Sequence, residues 1–188
     1  MQSLHREATA QRHNEQLLNF TDDIDTILIG DSVFERFVWF LKAEFKKNVL
    51  VLAKGGDTIS HLLWRLDNTP NSNKITKIIL HIGQNNISNK KTKASAIADG
   101  IKKTVDLLTV KFPNASILFI DLYYQKNVDK SKTDDVNHLT EIALGSKFVS
   151  SFWKSMLPDG YDNTKYEDDV HLNMESYKRF YQLIMKLI

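Results

Sequence analysis

Residues 26–45 read TILIGDSVFERFVWFLKAEF, and this stretch decides the fold. Its first five residues form a short apolar run that ends in glycine, which predicts a buried strand over 26–30. Apolar residues then recur at positions 33, 34, 37, 38, 41 and 45, a spacing that predicts an amphipathic helix over 33–45. A buried strand followed at once by a helix is typical of a chain in which the two alternate.

The same alternation continues to the end of the chain. The predicted strands are 26–30, 48–53, 75–82, 116–122 and 147–150, and the predicted helices are 3–19, 33–45, 58–66, 92–112, 134–144 and 174–188. Continuous apolar strands that alternate with helices favour a parallel sheet covered on both faces. With right-handed crossovers this predicts an α/β protein, a three-layer α/β/α sandwich around a five-stranded parallel sheet of flavodoxin-like type.

Length and composition narrow the class of protein. A chain of 188 residues suits one domain over 1–188, with residues 1–20 as a helix packed on it or flanking it. A net charge of +2 gives no argument for nucleic-acid binding. The charged residues in 1–20 argue against a signal peptide, no apolar run reaches membrane-spanning length, and the absence of cysteine suits a reducing compartment. We therefore expect a cytoplasmic protein.

Three small, polar segments follow the first three predicted strands: residues 30–32 (GDS), 55–57 (GGD) and 83–85 (GQN). In open parallel sheets the ligand site lies at the carboxyl ends of the strands. Ser32 N–H, Gly56 N–H and the Asn85 amide could together stabilise an oxyanion, as acyl transfer requires. Taken singly, Ser32 is as consistent with a helix N-cap, Gly56 with a turn glycine and Asn85 with a loop-capping residue.

A general base is also needed, and His171 is the strongest candidate among six histidines. Asp168 lies three residues before it, close enough to turn back to Nδ1 and orient the ring. The same segment is also consistent with an acidic loop that caps the last helix. We expect the other histidines to serve packing or solvation: His5 and His13 on the solvent side of the first helix, His61 and His138 within helices, and His81 as a hydrogen-bonded core residue.

Two other kinds of site find little support. The sequence has no His-x-x-x-His or comparable metal-ligand spacing, so we expect no metal site. The lysine-rich run at 90–93 carries no aromatic pattern, which favours a solvated loop over a phosphate or nucleic-acid site.

Four short blocks, taken together, resemble those of the SGNH (GDSL-type) hydrolases. They are IGDS at 29–32, GGDT at 55–58, GQNN at 83–86 and Asp168 with His171, and they occur in the family's order. The longer stretch GGDTISHLLWRL at 55–66 is similar to the catalytic subunits of the intracellular, type Ib platelet-activating factor acetylhydrolases. The resemblance spans nearly the whole chain apart from the segment 126–157.

This resemblance implies the SGNH hydrolase fold and a serine esterase that needs no cofactor. Ser32 would be the nucleophile, His171 the general base and Asp168 its orienting carboxylate, with Ser32 N–H, Gly56 N–H and Asn85 as the oxyanion hole. A small acyl ester would acylate Ser32, and water would then release the acid. The family's acetylhydrolases dimerise and bind a WD-repeat regulator, so the resemblance also implies a homodimer or hetero-oligomer.

The acyl pocket differs from that of the acetylhydrolases. The resemblance places Val33, Gln84 and Val170 in this pocket, and Gln84 stands where the relatives carry a small threonine. A long amide there changes both volume and polarity, so an acetyl ester is one of several possible substrates. Because a fold does not guarantee a function, a non-catalytic protein-interaction module stays open as the alternative.

Overall fold

Five parallel strands form one sheet in the computed structural model, which describes residues 2–41 and 48–188 and the side chains of 10–39 and 48–188. The strands are β1 Thr26–Gly30, β2 Val49–Ala53, β3 Lys77–His81, β4 Ser116–Ile120 and β5 Phe148–Val149. They lie in the order β2-β1-β3-β4-β5, and every neighbouring pair is parallel. The predicted five-stranded parallel sheet is confirmed.

Seven helices are described, together with three short 3-10 turns. The helices are α1 Gln2–Leu17, α2 Ser32–Leu41, α3 Ile59–Asp67, α4 Gln84–Ile87, α5 Ala94–Lys111, α6 Lys130–Leu144 and α7 Met174–Ile184. The short α4 was not predicted, and α6 begins four residues earlier than expected because Asp129 caps it through the Ser131 N–H. The predicted end of the second helix, at residue 45, lies outside the described residues.

The sheet divides the core into two layers, as the predicted sandwich requires. Alternate strand residues face opposite sides, so Ile27 and Ile29 pack with α3, α5 and α6, whereas Leu28 packs with α2 and α7. Both faces are apolar because both are covered by helices. The carboxyl ends of β1, β2 and β3 therefore meet at one rim, where the turns that follow them carry the predicted site residues.

The N-terminal helix α1 packs against α3 and β2. Gln16 Nε2 donates to the carbonyl of Ala53 at 2.6 Å, which ties α1 to the end of β2. His13 contradicts the expectation of a solvent-facing ring, since it is only 2% exposed and its Nε2 lies 3.3 Å from Thr69 Oγ1. Burial, followed by the positive charge of Arg65, lowers the pKa of His13 to about 4. The side chain of His5 lies outside the described residues.

No helix within residues 2–41 or 48–188 combines the length and the hydropathy that a bilayer crossing needs.

Candidate active site

Ser32 is the first residue of α2, two residues after β1 ends. Gly30 is required at the strand end, because a Cβ there would stand 2.2 Å from the carbonyl oxygen of His81. The carboxylate of Asp31 accepts the Val33 N–H at 3.1 Å and so stabilises the first turn of the helix. The Ser32 hydroxyl instead reaches across the rim to His171, which favours the catalytic interpretation over the N-cap.

Ser32, His171 and Asp168 form a continuous hydrogen-bonded series. Ser32 Oγ lies 3.0 Å from His171 Nε2, and His171 Nδ1 lies 2.8 Å from Asp168 Oδ2. With the carboxylate on Nδ1, that nitrogen carries the proton and Nε2 is left to accept one from the serine. The geometry is that of a nucleophile, a base and the carboxylate that orients the base.

Asp168 is held in its charged form. Partial burial by itself would raise the pKa of this carboxyl. Hydrogen bonds outweigh that effect and lower the pKa to about 2; they come from the backbone N–H of His171, the ring of His171 and the backbone N–H of Val170. The two N–H groups donate to Oδ1 at 2.7 and 2.8 Å. Arg36 Nη2 adds a positive charge 3.5 Å from Oδ2. The carboxylate is therefore negative throughout the neutral range.

The neighbouring Asp169 faces away from His171. Its carboxylate accepts from Lys126 Nζ at 2.9 Å and from Asn127 Nδ2 at 3.0 Å, so it joins the loop after β4 to the loop before α7. Tyr123 reinforces the same junction by donating its hydroxyl to the Val170 carbonyl at 3.0 Å. Sequence reasoning missed Tyr123, because nothing in the pattern after β4 indicates which loop an aromatic hydroxyl will reach.

The three predicted oxyanion donors meet in one cleft of about 330 Å³, next to His171. Gly56 has φ of +78°, a left-handed conformation that favours glycine and shapes the tight turn after β2. Asn85 lies in the first turn of α4, and its Nδ2 donates to the Asp57 carbonyl at 2.9 Å. That bond orients the amide and occupies one of its two N–H groups.

Of the three predicted acyl-pocket residues, Val170 lines this cleft, whereas Val33 and Gln84 are buried, each about 1% exposed. Gln84 Nε2 donates to the Tyr123 carbonyl at 3.0 Å, since a buried amide needs a partner. The side chain is thus directed to the segment that follows β4. That Val33 and Gln84 shape the acyl pocket stays a prediction.

Three further cleft residues escaped the sequence analysis: Glu35, Arg36 and Trp39. A signal for them existed, because they follow Ser32 at intervals of three, four and seven and so share its face of the helix. Trp39 is 61% exposed, which distinguishes it from the core aromatics on the opposite face of α2. Arg36 Nη1 donates to Glu167 at 2.7 Å and so anchors the start of the Asp168 loop.

Beneath the rim lies a buried ion pair between Arg65 and Asp57, with Nε and Oδ2 2.7 Å apart. Arg65 also donates to the carbonyls of Gly30 at 3.1 Å and Leu52 at 3.4 Å, which joins the ends of β1 and β2. Burial lowers the pKa of Arg65, an effect that Asp57 opposes. This cross-link holds together the two strand ends that carry Ser32 and Gly56.

His81 differs from the hydrogen-bonded core histidine that the sequence suggested. It is fully buried, but neither ring nitrogen has a hydrogen-bond partner among the described residues. Burial lowers its pKa to about 3, so the ring is neutral and packs as an aromatic against Tyr123 and Trp153. Oδ1 of the buried carboxyl group of Asp31 lies 3.9 Å from Nδ1 of the ring.

Asp31 makes stability depend on pH. Burial raises the pKa of this carboxyl from 3.8 to about 7, so the folded protein keeps a proton that the unfolded chain releases near pH 4. The stabilisation that the protonated Asp31 contributes is complete below about pH 4. It is lost as the pH rises through 7, which lowers the unfolding free energy by up to about 4 kcal/mol. We expect Asp31→Asn to flatten the decline in unfolding free energy between pH 4 and pH 7, measured by urea titration. The exposed Asp99→Asn is the matched control, and an equal decline in both variants would contradict the assignment.

No group of three or more His, Cys, Asp or Glu residues suited to a metal ion occurs in the described part of the chain. The lysines at 90, 91 and 93 are exposed, as expected for a solvated loop.

The chain is similar to known proteins in both sequence and structure. No known family model matches the chain. Over 141 residues it is 30% identical to the Homo sapiens platelet-activating factor acetylhydrolase IB subunit alpha2. This alignment covers 71% of this chain and 60% of that protein. Over 125 residues it is 31% identical to the Drosophila melanogaster platelet-activating factor acetylhydrolase IB subunit beta homolog. This alignment covers 62% of this chain and 54% of that protein. The chain thus spans 54–60% of the length of these relatives.

Solved structures share the fold. A protein described as a platelet activating factor from Streptococcus pneumonia superposes with a TM-score of 0.79 at 16% identity, over 96% of this chain and 91% of that one. A GDSL-like lipase from Bacteroides thetaiotaomicron superposes with a TM-score of 0.69 at 15% identity, over 88% of this chain and 87% of that one. The five-stranded parallel sheet, covered by helices on both faces, places the chain in the α/β class that these solved structures share. The chain is similar in sequence to the platelet-activating factor acetylhydrolase Ib subunits, and it shares its fold with a GDSL-type hydrolase.

Proposed function

We propose that this chain is a serine esterase that cleaves a small acyl ester through an acyl-enzyme on Ser32. The observation that carries the proposal is the hydrogen-bonded series Ser32 Oγ–His171 Nε2 at 3.0 Å and His171 Nδ1–Asp168 Oδ2 at 2.8 Å. Gly56 and Asn85, on the wall of the same cleft, supply the donors that acyl transfer needs. The names of the relatives, which are acetylhydrolases and a lipase, agree with this chemistry.

The proposed reaction has two halves. In the first, Ser32 Oγ attacks the ester carbonyl while His171 Nε2 takes the hydroxyl proton, and the carbonyl oxygen gains a negative charge opposite the N–H groups of Ser32 and Gly56 and the Asn85 amide. The tetrahedral intermediate collapses, the bond to the alcohol breaks, and His171 returns its proton to the leaving oxygen. In the second half, water takes the place of the alcohol and His171 again transfers the proton, which releases the acid and restores Ser32.

A fluorophosphonate probe tests this proposal directly, because it labels only a serine that a neighbouring base has activated. We expect stoichiometric labelling of the wild-type chain and none of Ser32→Ala. Ser146→Ala, at an exposed serine, is the matched control and should label as the wild type does. A wild-type chain that neither labels nor hydrolyses nitrophenyl esters would overturn the esterase proposal and favour the interaction module.

We propose that Gln84 sets the acyl preference. Its buried side chain reaches the Tyr123 carbonyl and occupies volume that a threonine would leave open. We expect Gln84→Thr to raise kcat/KM for acetyl esters relative to longer acyl esters by about tenfold, the scale of one or two small groups in a pocket. The measurement is kcat/KM for a series of nitrophenyl esters of increasing acyl length. An unchanged order of preference would show that Gln84 does not line the acyl pocket.

Assembly and location are proposals of the same kind. The relatives are named as subunits, so we propose that this chain also forms a homodimer or hetero-oligomer, which light scattering would show. The sequence contains no cysteine and suits the reducing cytoplasm, which is the location we propose.

A further inference from the structure

Glu35 connects the nucleophile helix to the loop that carries the oxyanion donor Gly56. It lies in the first turn of α2, three residues after Ser32, and it is only 8% exposed. Its Oε2 accepts the Gly55 N–H at 2.8 Å. The approach is close enough that a Cβ on Gly55 would stand 2.6 Å from this oxygen and 3.7 Å from Ser32 Cβ. The carboxylate therefore packs directly on the loop backbone.

The loop needs such a contact because two consecutive glycines have wide conformational freedom. The peptide plane that presents the Gly56 N–H begins at Gly55, so a fixed Gly55 also restricts the direction of the next N–H. The remaining backbone bonds of this turn lie to either side, from Lys54 N–H to the Gly30 carbonyl at 3.2 Å and from Asp57 N–H to the Lys54 carbonyl at 3.2 Å. Two side chains hold the glycine pair between them: Glu35 accepts the Gly55 N–H, and Lys54 Nζ donates to the Gly55 carbonyl at 3.1 Å.

The N-terminal helix α1 supports this carboxylate from behind. Arg12 Nε lies 3.8 Å from Glu35 Oε1, and this nitrogen is buried with no hydrogen-bond partner among the described residues. The guanidinium partly offsets the negative charge of Glu35, which lines a cleft where negative charge would develop during acyl transfer. A carboxylate so placed would oppose the reaction electrostatically. If Glu35 favours catalysis, it therefore does so through its hydrogen bond to the Gly55 N–H and not through its charge.

We propose that Glu35 is a positioning residue that fixes the Gly55-Gly56 turn and thereby aims the Gly56 N–H at the substrate oxygen. This inference rests on the proposed esterase function. Glu35 acts through Gly55 and Gly56 and does not transfer a proton. A glutamine at position 35 would keep the acceptor oxygen and lose the charge, so it separates positioning from every role that needs a carboxylate.

The test compares Glu35→Ala, Glu35→Gln and Glu15→Ala in nitrophenyl ester hydrolysis. Glu15 is a matched control because it also pairs with Arg12, at 3.5 Å, but lies on α1 outside the cleft. We expect Glu35→Ala to lower kcat by about 10- to 100-fold with KM within about threefold, since misdirected oxyanion donors act on the transition state. Glu35→Gln should restore kcat to the wild-type value or above, and Glu15→Ala should leave it unchanged.

A second readout does not depend on activity. Amide hydrogen exchange at Gly55 should be faster in Glu35→Ala than in the wild type and in Glu35→Gln. If the wild type neither hydrolyses esters nor labels, the esterase proposal fails, and the exchange rate alone decides whether Glu35 holds the turn. Unchanged exchange in Glu35→Ala, a kcat in Glu35→Gln as low as in Glu35→Ala, or an equal loss in Glu15→Ala would overturn the inference.

Discussion

Ser32→Ala is expected to reduce esterase turnover by about four orders of magnitude or more, because it removes the atom that would form the acyl-enzyme. Residual hydrolysis above the rate in water would come from the oxyanion donors and from substrate binding. The hydroxyl is not needed to begin α2, since Asp31 accepts the Val33 N–H of the first turn. The melting temperature should therefore stay close to that of the wild type, and kcat and thermal unfolding are measured on the same preparation.

Ser146→Ala serves as the matched control for this substitution and should retain full kcat. Turnover by Ser32→Ala within tenfold of the wild type would show that another group attacks the ester. A large fall in melting temperature would instead show that Ser32 serves the fold, and its N-cap interpretation would then stand.

Asp168→Asn is expected to lower kcat by about 10³- to 10⁴-fold, the scale of losing the correct histidine tautomer. The side-chain oxygen of the introduced asparagine can still accept the backbone N–H groups of Val170 and His171, so the loop keeps its shape. The amide nitrogen then faces His171 Nδ1 and turns it into an acceptor. The ring proton moves to Nε2, where it prevents the ring from accepting the proton of Ser32.

Asp169→Asn provides the matched comparison one residue away. Its carboxylate contacts Lys126 and Asn127 and not the histidine, so we expect a change in kcat of less than about fivefold, in line with an exposed ion pair. Comparable losses in the two variants would mean that the loop junction, and not the orientation of His171, limits the reaction. Steady-state kinetics on both variants at one pH distinguish the two outcomes.

The contrast between these aspartates shows what short-range sequence information can predict. The offset of three residues to His171 favoured Asp168, and the structure places that carboxylate on the ring because a tight turn of this length has few conformations. The same local logic placed Ser32 at the end of β1 and Gly56 at the end of β2. It failed for His13, whose burial depends on how α1 lies against α3, a matter of packing between distant segments.

The alternation of apolar strands and amphipathic helices by itself determined the parallel sheet and the rim that carries Ser32, Gly56 and Asn85, because burying both faces of such strands leaves few arrangements. Only the tertiary structure decided which polar groups pair across that rim. Glu35 reaches Gly55 because β2 lies beside β1, and Gln84 turns to Tyr123 because β4 lies beside β3. Periodicity records which face of an element is apolar, whereas the partner of a polar side chain depends on neighbours that sequence spacing does not specify.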